Sequence, residues 1–199
     1  YEKAKQNKRN KASLKNEISA TIVEDETRKT KNILNRRRHL VLLAKNQEGL
    51  NDLYKLISES YEPKNFYRYP RVDYEILRKY GSNLIATSAC LGGVYAGNYW
   101  ENRDDGEEAV LRAMRETSER MIEIFGDRWY GELQWNNIPE QHELNQYIIK
   151  ACREYNIRLV STADSHYPRP EAWKDRELYK RLAWLGKKKP EWLSEELPD

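Results

Sequence analysis

Cysteine is scarce in this chain. Cys90 and Cys152 are the only two, so no disulfide framework supports the fold, and a reducing compartment suits it. Long apolar runs are missing as well, none long enough to span a bilayer, and no signal-peptide pattern opens the chain, so a cytoplasmic protein away from membrane is expected. A charge of one sign is also lacking. The 35 basic and 32 acidic residues leave a formal charge of +3, so no general electrostatic attraction to nucleic acid follows, and any such contact must be local. No glycine-rich phosphate loop, dinucleotide fingerprint, serine nucleophile elbow or HExxH metal motif occurs.

What is present is a globular composition. Six Trp, 14 Tyr and 2 Phe accompany a charged fraction of 34%, and the aromatics together with β-branched apolar runs exclude disorder. The 199 residues suffice for one sizeable core, and nothing marks a hinge between two domains. The chain starts inside a helix-like run, Tyr1-Glu-Lys-Ala-Lys5, and stops at Leu197-Pro-Asp199 after an acidic segment. It reads as a piece of something longer.

Two hydrophobic periods take turns along the sequence. Period-two runs predict strands at 12–18, 39–44, 83–88, 129–134 and 158–163. Helical spacing predicts helices at 1–8, 47–60, 73–80, 105–125, 139–155 and 170–185, with Gly126 ending the long one at its C′ position. Strands alternating with helices of this length imply βαβ crossovers and a mainly parallel sheet, open or closed as a barrel, with functional groups at the carboxyl ends of the strands. Residues 24–38 form a charged connection without periodicity, either a solvated loop or one that touches phosphate.

Three predicted strands carry a potential metal ligand at one end. Asp164 and His166 stand at i and i+2 in Arg158-Leu-Val-Ser-Thr-Ala-Asp-Ser-His-Tyr167, and alternate residues of a strand point the same way, so both can grip one ion. The same pattern also suits a turn or a helix cap, since Pro168 and Pro170 follow. His39 opens the run His39-Leu-Val-Leu-Leu-Ala44, against the carboxyl-end rule, and Cys90 follows another strand in Ser88-Ala-Cys-Leu-Gly-Gly93, where the glycines allow a tight turn. Taken alone, each of these has a commoner plain role, a partly exposed histidine or a small buried thiol. Glu17 closes the first predicted strand. Glu132 and Gln134 share one face of a strand end, toward a site or toward solvent. Cys152 reads as core and His142 as a surface helix residue.

The strings His39-Leu-Val-Leu-Leu-Ala-Lys-Asn-Gln-Glu-Gly49, Leu53-Tyr-Lys-Leu-Ile-Ser58, Ser88-Ala-Cys-Leu-Gly-Gly93 and Ser161-Thr-Ala-Asp-Ser-His-Tyr167 resemble, in this order, the PHP (polymerase and histidinol phosphatase) domain of bacterial and phage replicative DNA polymerase III α subunits. The resemblance implies an α/β fold, a distorted (β/α)7 PHP-type barrel that is N- and C-terminally incomplete here. Residues 1–199 would be a partial PHP domain, with 186–199 the start of a linker to a following polymerase region. It implies Glu17, His39, Cys90, Asp164 and His166 as metal ligands, Asp164 and His166 being also catalytic, with Zn or Mn in that site and Mg for the parent polymerase. Glu17 departs from the family pattern, because Lys15-Asn16 replace the glycine and cysteine that usually precede it.

Metal-dependent 3′–5′ exonuclease or phosphoesterase hydrolysis is the activity implied, within a DNA-directed DNA polymerase that meets DNA and other replisome subunits, a sliding clamp and a proofreading subunit. Two other readings stay open. One is a degenerate scaffold that stabilises the polymerase and docks a proofreading subunit, and the other is a stand-alone phosphoesterase of the histidinol-phosphatase type. The family's opening HxH motif, its downstream Asp-His pair and the polymerase palm are not in these residues.

Overall fold

In the computed structural model the described residues are 37–66 and 68–186. The expected helix 1–8, strand 12–18, ligand Glu17, most of the 24–38 connection and nearly all of the 186–199 linker lie outside them.

The elements run β1 (Val41–Ala44), α1 (Gln47–Ser60), α2 (Tyr74–Tyr80), β2 (Leu84–Thr87), α3 (Val94–Asn102), α4 (Glu107–Phe125), β3 (Trp129–Gln134), α5 (Pro139–Glu154), β4 (Arg158–Thr162) and α6 (Trp173–Ala183). Local chemistry sets their ends. The Asn46 side chain accepts from the Gly49 amide at 2.8 Å and Asp73 from the Ile76 amide at 2.9 Å, capping α1 and α2. Pro139 sits in the first turn of α5, and Gly126, at φ +58, stops α4 where the periodicity ends.

The strands form one four-stranded sheet in the order β1-β2-β3-β4. β2, β3 and β4 are parallel, as βαβ crossovers require, whereas β1 runs antiparallel to β2 with Val41 opposite Thr87 and Ala44 opposite Leu84. The sheet is therefore mixed and, among the described residues, open. The closed barrel expected from the resemblance is not seen in it, since β1 and β4 are its two edges.

Register then assigns the faces. Ala86 pairs with Trp129, Gly131 with Leu159 and Leu133 with Ser161, so Leu84, Ala86, Trp129, Gly131 and Leu133 share one side. That side is covered by α3, α4 and α5 through Tyr95, Tyr99, Val110, Met114, Met121, Phe125, Leu144, Ile148 and Cys152, all buried in one cluster. Each such large side chain contributes about 1.5–3 kcal/mol through removal from water. Trp129 meets Tyr95 edge-on, ring centroids 5.6 Å apart, and its Nε1–H donates to the Tyr95 hydroxyl at 3.2 Å, which in turn pairs with Ser118 Oγ at 2.7 Å. The core thereby keeps its polar tips satisfied.

Helix α3 was not anticipated from periodicity. Gly92, Gly93 and Gly97 interrupt the pattern, and its buried residues Tyr95, Ala96 and Tyr99 gain their position from the tertiary packing. The last predicted helix is shorter than expected and is preceded by a 3₁₀ turn at Pro170–Ala172.

Two substitutions test the packing. Met114→Ala should lower unfolding free energy by about 2–5 kcal/mol through an unfilled cavity. Gly131→Ala should cost about 1–3 kcal/mol, because a Cβ there would lie 2.4 Å from Cys152 Sγ. Urea unfolding followed by tryptophan fluorescence measures both, and a wild-type midpoint in either variant would contradict the packing described.

Candidate metal centre at the strand ends

The antiparallel β1 resolves the anomaly of His39. A residue that opens an antiparallel strand lies beside the carboxyl end of its neighbour, and the His39 amide accordingly donates to the Gly92 carbonyl at 2.8 Å in the loop after β2. The imidazole Nδ1 stands 3.3 Å from Cys90 Sγ. Two glycines permit this approach. A Cβ on Gly92 would fall 3.1 Å from the imidazole Nδ1, and one on Gly93 would fall 2.0 Å from the Ser88 carbonyl oxygen, while the Gly93 amide closes the turn on the Cys90 carbonyl at 2.7 Å.

Asp164 and His166 follow β4. The His166 Nδ1–H donates to the Asp164 backbone carbonyl at 2.7 Å, which leaves Nε2 of the neutral ring with its lone pair free. This is the orientation that metal-binding imidazoles require. Asp164 itself is left-handed, φ +50, as is Ala89 at φ +59 beside Cys90. Non-glycine residues in that region cost on the order of 1–3 kcal/mol and persist where their surroundings over-determine them.

The side of the sheet away from α3, α4 and α5 carries Glu132 and Gln134, both buried. The Glu132 carboxylate accepts from the Thr87 hydroxyl on β2, from the Thr162 hydroxyl on β4 at 2.5 Å and from Gln134 Nε2 at 2.9 Å. Burial pushes its pKa up, but the hydrogen bonds from Thr162, Thr87, Gln134 and the Ala89 amide outweigh burial and hold it below the ordinary glutamate value. Among the described residues, Gln134 Oε1 is buried with no hydrogen-bond partner.

The sequence-predicted residues therefore come together as two pairs, His39 with Cys90 and Asp164 with His166. Among the described residues no three His, Cys, Asp or Glu side chains gather at a single ion-sized point. Imidazole, thiolate and carboxylate are nevertheless all zinc donors, and the carboxylate also suits manganese, so the residues fit such an ion in kind. Cys152 is core, as expected, and burial pushes its thiol up to about 12. His142 is exposed near the start of α5. What the sequence left undecided was the facing of Glu132 and Gln134, and the register with β2 and β4 decides it. Among the described residues no helix is long and apolar enough to cross a membrane.

Comparison with known proteins gives the family. The PHP domain model matches residues 1–136. The chain is 42% identical over 151 residues to the DNA polymerase III subunit alpha of Aquifex aeolicus, covering 76% of this chain and 12% of that protein. It is 40% identical over 133 residues to that of Thermus aquaticus (67% of this chain, 10% of that protein) and 39% over 130 residues to that of Borreliella burgdorferi (65% and 10%). The chain spans about a tenth of the length of these relatives. It belongs to the PHP domain family.

Two measurements check the local geometry. Gly93→Ala should raise alkylation of Cys90 and lower stability by about 1–3 kcal/mol, with Cys152 remaining unlabelled at pH 8 in the native state because its thiol is held neutral. Equal labelling of the two cysteines in the wild type would overturn this. For Glu132 the folded pKa lies below the unfolded one, so its contribution is full above about pH 4.3, the ordinary glutamate value, and is lost as pH falls through the depressed one. The melting-temperature gap between wild type and Glu132→Gln should be wide at pH 7 and narrow below about pH 4.

Proposed function

We propose that this member of the PHP domain family is the metal-binding part of a replicative DNA polymerase of the polymerase III α type, and that it supports metal-dependent 3′–5′ exonuclease or phosphoesterase hydrolysis. The observation that carries the reading is the 42% identity over 151 residues to a polymerase III α subunit. In this reading the open four-stranded sheet is an arc of a (β/α)7 barrel. The setting is the cytoplasm, DNA is reached through the whole polymerase, and the sliding clamp and a proofreading subunit are its neighbours. Residues 1–199 form one partial PHP domain, with 186–199 leading toward the polymerase region, where nucleotide addition with Mg would occur.

His39 and Cys90 from one side, and Asp164 and His166 from the other, would hold zinc or manganese together with Glu17. Such an ion supplies a Lewis acid that polarises a phosphodiester and offsets its charge. The chain's own contributions are positional and electrostatic. His166 presents Nε2 because its Nδ1 proton is fixed on the Asp164 carbonyl, and Asp164 adds a carboxylate at the same strand end, where it can hold an ion or take a proton from an attacking water.

A second reading is favoured by one observation, the separation of the ligands into two pairs with no group of three among the described residues. In it the domain is a scaffold that stabilises the polymerase and docks a proofreading subunit.

In the whole polypeptide, Asp164→Asn and His166→Ala should each weaken zinc or manganese binding by roughly 10–100-fold. Both should abolish 3′–5′ exonuclease activity while primer extension stays within about twofold of wild type, because neither side chain belongs to a palm. His142→Ala should change neither. Wild-type metal content and nuclease rate in both strand-end variants would overturn the assignment, and an absent nuclease combined with lowered melting temperature in both would favour the scaffold.

A further inference from the structure

We propose that Glu132 is a positioning residue, whose buried carboxylate ties the end of β2 to the end of β4 and so sets Cys90 relative to Asp164 and His166. The inference rests on the reading that those three side chains hold metal. Glu132 lies on β3, between the two strands, and its two oxygens divide between them. Oε2 takes the Thr87 hydroxyl, three residues before Cys90. Oε1 takes the Thr162 hydroxyl at 2.5 Å, two residues before Asp164, and Gln134 Nε2 at 2.9 Å.

The start of the turn after β2 is fastened to β3. The Ser88 amide donates to the Tyr130 carbonyl at 3.1 Å, and the Glu132 amide donates to Ser88 Oγ at 2.8 Å. Ala89 is the residue with φ +59. A left-handed alanine needs an external hold, and the bonds that tie Thr87 and Ser88 to β3 just before it supply one. From this turn Cys90 places Sγ 3.3 Å from His39 Nδ1.

A merely structural carboxylate is the competing account. Ladder hydrogen bonds already join β2, β3 and β4, so sheet pairing itself does not need a buried charge, whose desolvation is costly. The charge does have one property that the ladder lacks. It accepts from both flanking strands at once, whereas a neutral amide in its place would keep one acceptor oxygen and force the other threonine hydroxyl to turn round and accept instead of donate.

The test uses the whole polypeptide and compares Glu132→Gln with Met114→Ala, a core variant far from the strand ends in sequence. Three quantities are read: zinc affinity by chelator competition, Cys90 alkylation relative to Cys152 by peptide mass spectrometry, and amide exchange at 88–90 and 163–166. Glu132→Gln should weaken zinc by roughly 10–100-fold and raise the Cys90 to Cys152 labelling ratio roughly tenfold, as loss of one buried charged hydrogen bond would. Met114→Ala should raise exchange throughout and leave that ratio alone. A Glu132→Gln protein that is destabilised yet matches Met114→Ala in labelling ratio and in zinc affinity would overturn the proposal. If the wild type binds no zinc, the metal reading fails by itself, while labelling and exchange still decide the role of Glu132. Should Glu132→Gln not fold, Thr87→Val should loosen residues 88–90 alone and Thr162→Val residues 163–166 alone, and unchanged exchange in both would sink the idea.

Discussion

Trp129, buried and packed edge-on against Tyr95, fixes which way the sheet faces. Strand side chains alternate, so burying Trp129, Gly131 and Leu133 beneath α3, α4 and α5 commits Tyr130, Glu132 and Gln134 to the opposite side. A one-residue slip would place a carboxylate and an amide in the apolar cluster, at a cost of several kcal/mol for unpaired polar groups. The core's preference for one register is thus also what delivers Glu132 to the threonines of β2 and β4.

The geometry of the strand ends follows from the same sheet. In a purely parallel sheet His39, at the start of its strand, would lie at the far edge from Cys90 and Asp164. Antiparallel pairing of Val41 with Thr87 reverses β1 and brings its first residues to the carboxyl end of β2. One exception to the parallel rule therefore restores a second rule, that polar chemistry collects at one end of the sheet.

Much of this was legible in the sequence. All four described strands and five of the six described helices follow from period-two and helical spacing, with Gly126 marking the end of the long one. The direction of β1 was not legible, because a strand reads the same whichever way its neighbour runs. Helix α3 was hidden by its glycines, which serve close approach: a Cβ on Gly97 would meet the Arg38 side chain at 2.0 Å. Barrel closure was inferred from resemblance, and periodicity cannot count strands beyond the residues described. The facing of Glu132 was undecidable because it depends on pairing with Thr87 and Thr162, which lie 45 and 30 residues away.

The strand ends also concentrate features that packing does not call for. Ala89 and Asp164 are both left-handed, Gln134 Oε1 is buried without a partner among the described residues, and the ring of His166 is fixed so that its second nitrogen is free. The left-handed residues and the unpartnered oxygen each cost stability, and the core gains nothing from them. A scaffold under no other demand would be relieved by glycine at 89 or 164 and by an apolar residue at 134. The costs fall at one end of the sheet and within two residues of Cys90, Asp164 or the Glu132 carboxylate, as they would where a fold holds side chains ready for a ligand of high charge.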